Sequence, residues 1–297
     1  MKNKLRTTLI ALAGVGFFAN PAMAVVSLEN GGLSLAFYQV TPGIGGGTVG
    51  PQTLIVDLGA ASLYRENTGY NVSVSTVNPG FANSNIGSQL TTAFGANWAD
   101  SGTIRWMAFG TVTGVSSPIS GDPNRTTYLS TARADFSTNT VPINIAGGSL
   151  RGGVSNSIAN FVGQTQNEVA TVGNADVTQT PITDIFSIDQ YVAPTTPGLW
   201  FTLGQDITQT LDSGTISGPD GLVFEGALDI YRVLNTTSGA DLTAGYSGSD
   251  AAIGLGQYQG TITLDGAGNL SLIPEPSAAL LGLIGTFGLV LRRRRNA

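Results

Sequence analysis

The sequence predicts a mainly β fold, an antiparallel β-sandwich or jelly-roll-like domain with one or two short helices, and three observations carry that expectation. Apolar and polar residues alternate with a period of two along several runs, as half-buried strands require. Glycine supplies 41 of the 297 residues, about twice the usual share of roughly 7%, and is dispersed between apolar runs as tight-turn residues are. Charged residues make up only 11% of the chain, so its polar faces rest on Ser, Thr, Asn, Gln and backbone groups.

Taken in order, Leu33 to Val40 and Gln52 to Leu58 are β-prone runs separated by the turn-rich stretch Thr41 to Gly47. Tyr70 to Val77 reads as a strand with Val72 and Val74 on one face and Ser73 and Ser75 on the other. Ile86, Leu90, Phe94 and Trp98 recur every four residues after Asn83-Ser84-Asn85, which predicts a short amphipathic helix with an N-cap. Thr103 to Thr113 sets Ile104, Trp106, Ala108 and Val112 against Arg105, Met107, Phe109 and Thr111. Both faces are partly apolar, so a central strand is expected. Val154 to Val172 reads as a second helix, carrying Ile158, Phe161, Val162 and Val169. Strand pattern returns at Leu199 to Leu203, after a proline-containing loop at Ala193 to Gly198, and again at Leu222 to Leu234, with Phe224, Leu228 and Ile230 on one face. A final hairpin joins Gln259–Leu264 to Leu270–Ile273 through Asp265-Gly266-Ala267-Gly268-Asn269, with Ile262, Leu264, Leu270 and Leu272 sharing its core face.

The two ends have a different character. Lys2, Lys4 and Arg6 precede an apolar run from Leu9 to Ala19, followed by Ala22-Met23-Ala24. A charged segment, a short apolar segment and a small-x-small site form a secretory signal peptide, with signal peptidase cutting after Ala24. At the other end, Pro274-Glu275-Pro276-Ser277 leads into an uncharged stretch that reaches Leu291, and Arg292, Arg293, Arg294 and Arg295 follow. Arginines after an apolar stretch stop transfer and hold the end on the cytoplasmic side. Ser277 to Leu291 as a helix would extend roughly 22 Å against a hydrocarbon core of about 30 Å. Such a span suits transient membrane association better than permanent anchorage. The expected division is 1–24 signal peptide, 25–273 extracellular β-rich domain and 274–297 sorting signal.

The tail closely resembles the PEP-CTERM sorting signal of Gram-negative bacteria, with its Pro-Glu-Pro motif at Pro274, Glu275 and Pro276, its short apolar helix and its terminal Arg292 to Arg295 cluster. The likeness covers about the last 24 residues; Ile273 stands where Val is commoner. What the resemblance implies is processing by an exosortase near Pro274 to Pro276, secretion or display at the cell surface, and association with exopolysaccharide and biofilm matrix. Extracellular polysaccharide is the partner so implied.

Between the ends, six arginines (Arg65, Arg105, Arg125, Arg133, Arg151 and Arg232) face eighteen acids, a net charge of about −12. Phosphate binding needs a basic stripe, so nucleic acid is not an expected partner. The chain has neither Cys nor His, and its lysines all lie in the signal peptide, which removes Ser-His-Asp, Ser-Lys and Cys-His nucleophile systems and imidazole or thiolate metal sites. No cofactor and no enzyme activity are expected. Calcium is the metal that oxygen ligands leave open, with Asp265 to Asn269 the most suggestive loop, although its glycines are explained by a hairpin. Glycoside hydrolysis by an Asp/Glu pair is the enzyme class that survives the composition. Glu225 and Asp229 share a strand face, but four residues put their Cα atoms roughly 13 Å apart, too far for such a pair, and they read as solvent-facing acids. The first alternative to a structural or adhesive role, ahead of such a hydrolase, is a lectin-like glycan-binding module, which would use Trp98, Trp106 or Trp200 as a stacking platform; core packing is the competing fate of these rings.

Overall fold

Strand-forming runs rich in Leu, Val, Ile and aromatic residues supply thirteen strands among the described residues, and eleven of them join one antiparallel sheet. The structure is a computed structural model that describes residues 28–41, 48–67, 71–81, 83–137, 142–145, 147–165, 170–171, 174–180, 209–211, 216–218, 221–238, 240–241 and 253–273. In chain order come β1 (Gly32–Thr41), β2 (Thr48–Ala60), helix α1 (Ala61–Glu66), β3 (Val72–Ser73), α2 (Val74–Val77), α3 (Gly87–Phe94), a 3₁₀ turn (Trp98–Asp100), β4 (Ile104–Thr111) and β5 (Thr127–Ala132). They are followed by α4 (Gly148–Thr165), β6 (Ala170–Thr171), β7 (Asn174–Thr180), β8 (Gln209–Leu211), β9 (Ile216–Ser217), β10 (Val223–Phe224), β11 (Gly226–Val233), β12 (Gly256–Leu264) and β13 (Leu270–Ile273).

The sheet runs β3-β13-β12-β11-β5-β4-β1-β2-β7-β6, with β8 added beside β4, and it curls into a half-barrel. The mainly β, antiparallel character with a few short helices agrees with the sequence reading. The strands do not separate into the two facing sheets of a sandwich, because β4 and β1 pair continuously from Ser34 opposite Phe109 to Gln39 opposite Ile104 and so join the two halves. That junction is tight: a Cβ on Gly110 would run into the backbone carbonyl of Gly32. The sheet forks at β4, whose Ile104–Trp106 end pairs with β8 and whose Phe109–Thr111 end pairs with β5. The two-stranded β9–β10 ribbon stands apart from it.

Period-two alternation gives the sheet an apolar layer on each face. Leu35, Phe37, Leu54, Val56, Ile104, Trp106, Ala108, Leu228, Ile230, Ile262, Leu264, Leu270 and Leu272 are buried against α1, α2 and α3 through Ala61, Tyr64, Val74, Val77 and Leu90. On the opposite face Ala36, Tyr38, Ile55, Met107, Phe109, Leu129, Tyr231 and Val233 pack against Val154, Ile158 and Phe161 of α4. Helices thus do the covering that a second sheet was expected to do. As expected, β4 is central and apolar on both faces, and the final hairpin puts Ile262, Leu264, Leu270 and Leu272 in one core.

Several boundaries differ from the sequence reading. Of Tyr70 to Val77, only Val72–Ser73 pairs with β13, and the chain then turns into α2. Hydroxyls redirect it: the Ser73 and Thr76 hydroxyls lie 2.8 Å apart, and the Ser75 N–H donates to the Ser84 hydroxyl at 2.7 Å. Short polar side chains of this kind offer the backbone an alternative to a ladder. The helix after Asn85 ends at Phe94, with Trp98 in the following 3₁₀ turn. The second helix lies earlier than expected, at Gly148–Thr165. Leu199 to Leu203 and the loop at 193–198 lie outside the described residues. No helix among the described residues is long and apolar enough to cross a membrane.

Candidate functional site

The processing residues named from the sequence, Ala22, Ala24, Pro274, Glu275, Pro276 and Arg292, Arg293, Arg294 and Arg295, lie outside the described residues, as do Trp200 and the span Ser277 to Leu291. What the structure describes is their point of attachment. β13 is a paired strand up to its last residue, with Thr261 opposite Ile273 and Ile262 opposite Leu272. Ile273 is only 4% exposed and belongs to a small cluster with Ile216, Phe224 and Ala227, against which Phe136 and Leu222 pack. The fold therefore extends to the residue that precedes Pro274.

Asp229 is buried, which corrects the reading of Glu225 and Asp229 as solvent-facing acids. Its Oδ1 accepts from Arg133 Nη1 at 2.8 Å and from the Thr261 hydroxyl at 2.6 Å. Tyr258 continues the chain, its hydroxyl 2.5 Å from that of Thr261. The Arg133 guanidinium also sits 4.6 Å above the Phe136 ring. Burial raises the Asp229 pKa, and the bonds from Thr261 and Arg133 hold it partly back. Burial also pushes the Tyr258 hydroxyl up, with the Asp229 charge adding to the shift. Alternation alone could not show this, because Arg133 is 96 residues away in sequence.

Glu225 sits where β10 gives way to β11, its N–H donating to the Leu264 carbonyl at 2.8 Å. Its carboxyl is raised in pKa first by burial and then by the charges of Asp100 and Asp265. A raised acid beside another carboxylate is the pattern of acid–base chemistry. Here the partner is committed elsewhere. Asp265 Oδ1 accepts from the N–H groups of Ala267 and Asn269 at 3.0 and 2.8 Å, and Oδ2 accepts from Asn269 Nδ2 at 2.8 Å. The same bonds explain the suggestive Asp265–Asn269 loop as a braced turn, with Gly268 at φ +86°.

The densest polar constellation was not visible in the sequence. Asp122, from the β4–β5 connection, accepts at Oδ1 from Arg65 Nη1 of α1 at 2.9 Å and from Arg232 Nε of β11 at 2.6 Å. Its Oδ2 accepts from the Tyr128 hydroxyl at 2.8 Å. Arg232 donates further to the carbonyls of Asp241 and Gly121, both at 2.8 Å, and Arg65 donates to that of Ser120 at 2.6 Å. All four side chains are buried. Burial, the largest single influence, lowers the Arg65 pKa, but Tyr128, Asp122 and the hydrogen bonds to Glu66 and Tyr128 together outweigh it and the net shift is upward. Burial, then the Asp122 charge, holds the Tyr128 hydroxyl well above its ordinary range. With so many donors converging on loop carbonyls, this cluster ties the β4–β5 connection to the sheet and α1.

The aromatic rings within the described residues also serve packing. Trp106 is fully buried, stacks on Phe37 at 5.4 Å and donates its indole N–H to Gln209 Oε1 at 2.9 Å, while Trp98 is 4% exposed in the same core. Neither can present a sugar platform. A cleft of about 220 Å³ opens between α4 and the β1–β4 junction, lined by Glu29, Asn30, Ser34, Phe109, Thr113 and Gly163 among others. Its rim is braced internally, since the Asn30 amide both donates to the Thr113 carbonyl at 2.8 Å and accepts from its N–H at 2.9 Å. No family model matches the chain, and no curated protein or solved structure matches it significantly.

Proposed function

We propose that this chain is an exported, non-catalytic surface or matrix protein, associated with exopolysaccharide or biofilm, that crosses the cytoplasmic membrane behind a signal peptide and is processed at its tail by an exosortase. The observation that carries this reading is the join at Ile273, where a strand buried in the sheet ends one residue before the Pro-Glu-Pro motif. A short apolar span and an arginine cluster that follow a complete strand suit a removable handle. The β-rich domain is the delivered part. Two features favour a structural role over hydrolysis: Asp229 is consumed by its ion pair with Arg133, and Asp265 by its own turn.

The test is fractionation of a host that carries the cognate exosortase against one deleted for it. The domain should leave the membrane fraction only when the protease is present. Equal release from both hosts would refute the reading.

A further inference from the structure

The apolar cluster around Ile273 is small, separate from the two main cores and built largely by the β9–β10 ribbon. β9 and β10 pair Ile216 with Phe224, and the Gly218 N–H donates to the Leu222 carbonyl at 2.8 Å, closing the ribbon on itself. A Cβ on Gly218 would run into the Phe224 ring, so glycine there lets that ring lie across the ribbon. Phe224 and Ile216 then bury the Ile273 side chain together with Ala227 of β11. Phe136 meets Phe224 with ring centroids 5.9 Å apart, and Arg133, stacked on Phe136, is fixed by Asp229. The last residue of β13 is thus held twice, through its backbone by β12 and through its side chain by the ribbon. On its other edge the Leu270 N–H donates to the Ser84 carbonyl at 2.9 Å and β3 pairs with Ser271 and Leu272, a pairing that stops short of Ile273.

We propose that the β9–β10 ribbon is a clamp that sets the upstream limit of proteolytic processing at Ile273, so that a protease can remove residues 274–297 but cannot trim into β13. The proposal rests on the tail being a removable handle. Its physical basis is that a strand must leave its ladder to be cut, and cleavage of a folded segment follows the population of its open form. Without the clamp, Ile273, which lies beyond the reach of β3 and outside the main core, would keep only its pairing with Thr261 of β12, and that end of the strand would fray. Trimming there would also strip Leu270 and Leu272 from the core they share with Ile262 and Leu264.

The experiment uses the purified full chain in detergent, digested with thermolysin, which cuts before large apolar residues, with the new C-termini read by mass spectrometry. In the wild-type chain the tail should be shed while the domain retains Ile273. Phe224→Ala should raise the rate of cutting before Leu270, Leu272 or Ile273 by about tenfold or more, since a large ring is removed from a small cluster. Val223→Ser, at a position 52% exposed on the same ribbon, should behave as wild type. If Phe224→Ala is also cut within β4 and has therefore loosened globally, the milder Leu222→Ala decides, with the same expected shift. The proposal is overturned if the wild-type chain is trimmed into 270–273 as fast as its tail is shed, or if the clamp variants keep the wild-type end point and rate. A secreted protein that keeps its arginine cluster in the native host would instead refute the handle reading, whatever the thermolysin result.

Discussion

Replacing Asp122 with Ala should destabilise the domain more than any surface change, because it leaves two buried guanidinium groups without their shared counter-charge. In the native cluster one carboxylate accepts from Arg65, Arg232 and Tyr128 at 2.9, 2.6 and 2.8 Å. The Asp122 side chain is 2% exposed, and those of Arg65 and Arg232 are 1% and 0% exposed, so solvent cannot replace the missing partner. Breaking a buried ion pair from one side costs about 3–5 kcal/mol. At roughly 2–4 °C per kcal/mol for a domain of this size, the melting temperature should fall by roughly 6–20 °C. Differential scanning calorimetry on the processed domain measures this directly. A fall of less than about 3 °C would refute the assignment of the cluster as a buried pin. The combined variant Arg65→Met, Asp122→Leu, Arg232→Met should not restore wild-type stability, since it removes the three charges but leaves the Tyr128 hydroxyl and the Ser120, Gly121 and Asp241 carbonyls without their donors or acceptor.

Three further expectations follow from the same geometry. Tyr128 is held neutral by burial and by Asp122, so its folded pKa lies above its unfolded one; its contribution is complete below about pH 10 and lost as pH rises through the folded value. Urea titrations between pH 8 and 11 should show wild type losing stability more steeply than Tyr128→Phe, and parallel curves would contradict this. Asp229 also has a raised folded pKa, so its contribution is present below its ordinary value near 3.8 and is lost as pH rises through the elevated one. Relative to Asp229→Asn, wild type should therefore weaken from pH 3 toward pH 7; the opposite trend would show that Arg133 dominates over burial. Gly110→Ala should cost about 1–3 kcal/mol by forcing β4 away from the Gly32 carbonyl, and unchanged denaturant midpoints would show that the junction is looser than described.

Much of the β architecture was legible because it rests on local signals. The final hairpin announced itself through Asp265, Gly266, Gly268 and Asn269 between two alternating runs, and β4 revealed its central place by being apolar on both faces. The single curled sheet was not legible, because nothing local says that β4 pairs with β1 or that β5 pairs with β11. The buried charges were hidden for a related reason. Asp122 meets Arg65 across 57 residues and Arg232 across 110, and a polar residue inside a strand looks solvent-facing until its partner is known. Asp229 was misjudged for that reason. Tyr70 to Val77 departs from a strand because the Ser75 N–H goes to the Ser84 hydroxyl, nine residues on, where a β ladder was expected.

The most direct test is the intact mass of the protein recovered from outside its native cells. The expected mass is that of a chain that begins at Val25, retains Ile273 and has lost the guanidinium-rich end. A mass that includes residues 292–295, or recovery of the folded chain only from the cytoplasm with its first 24 residues in place, would contradict it.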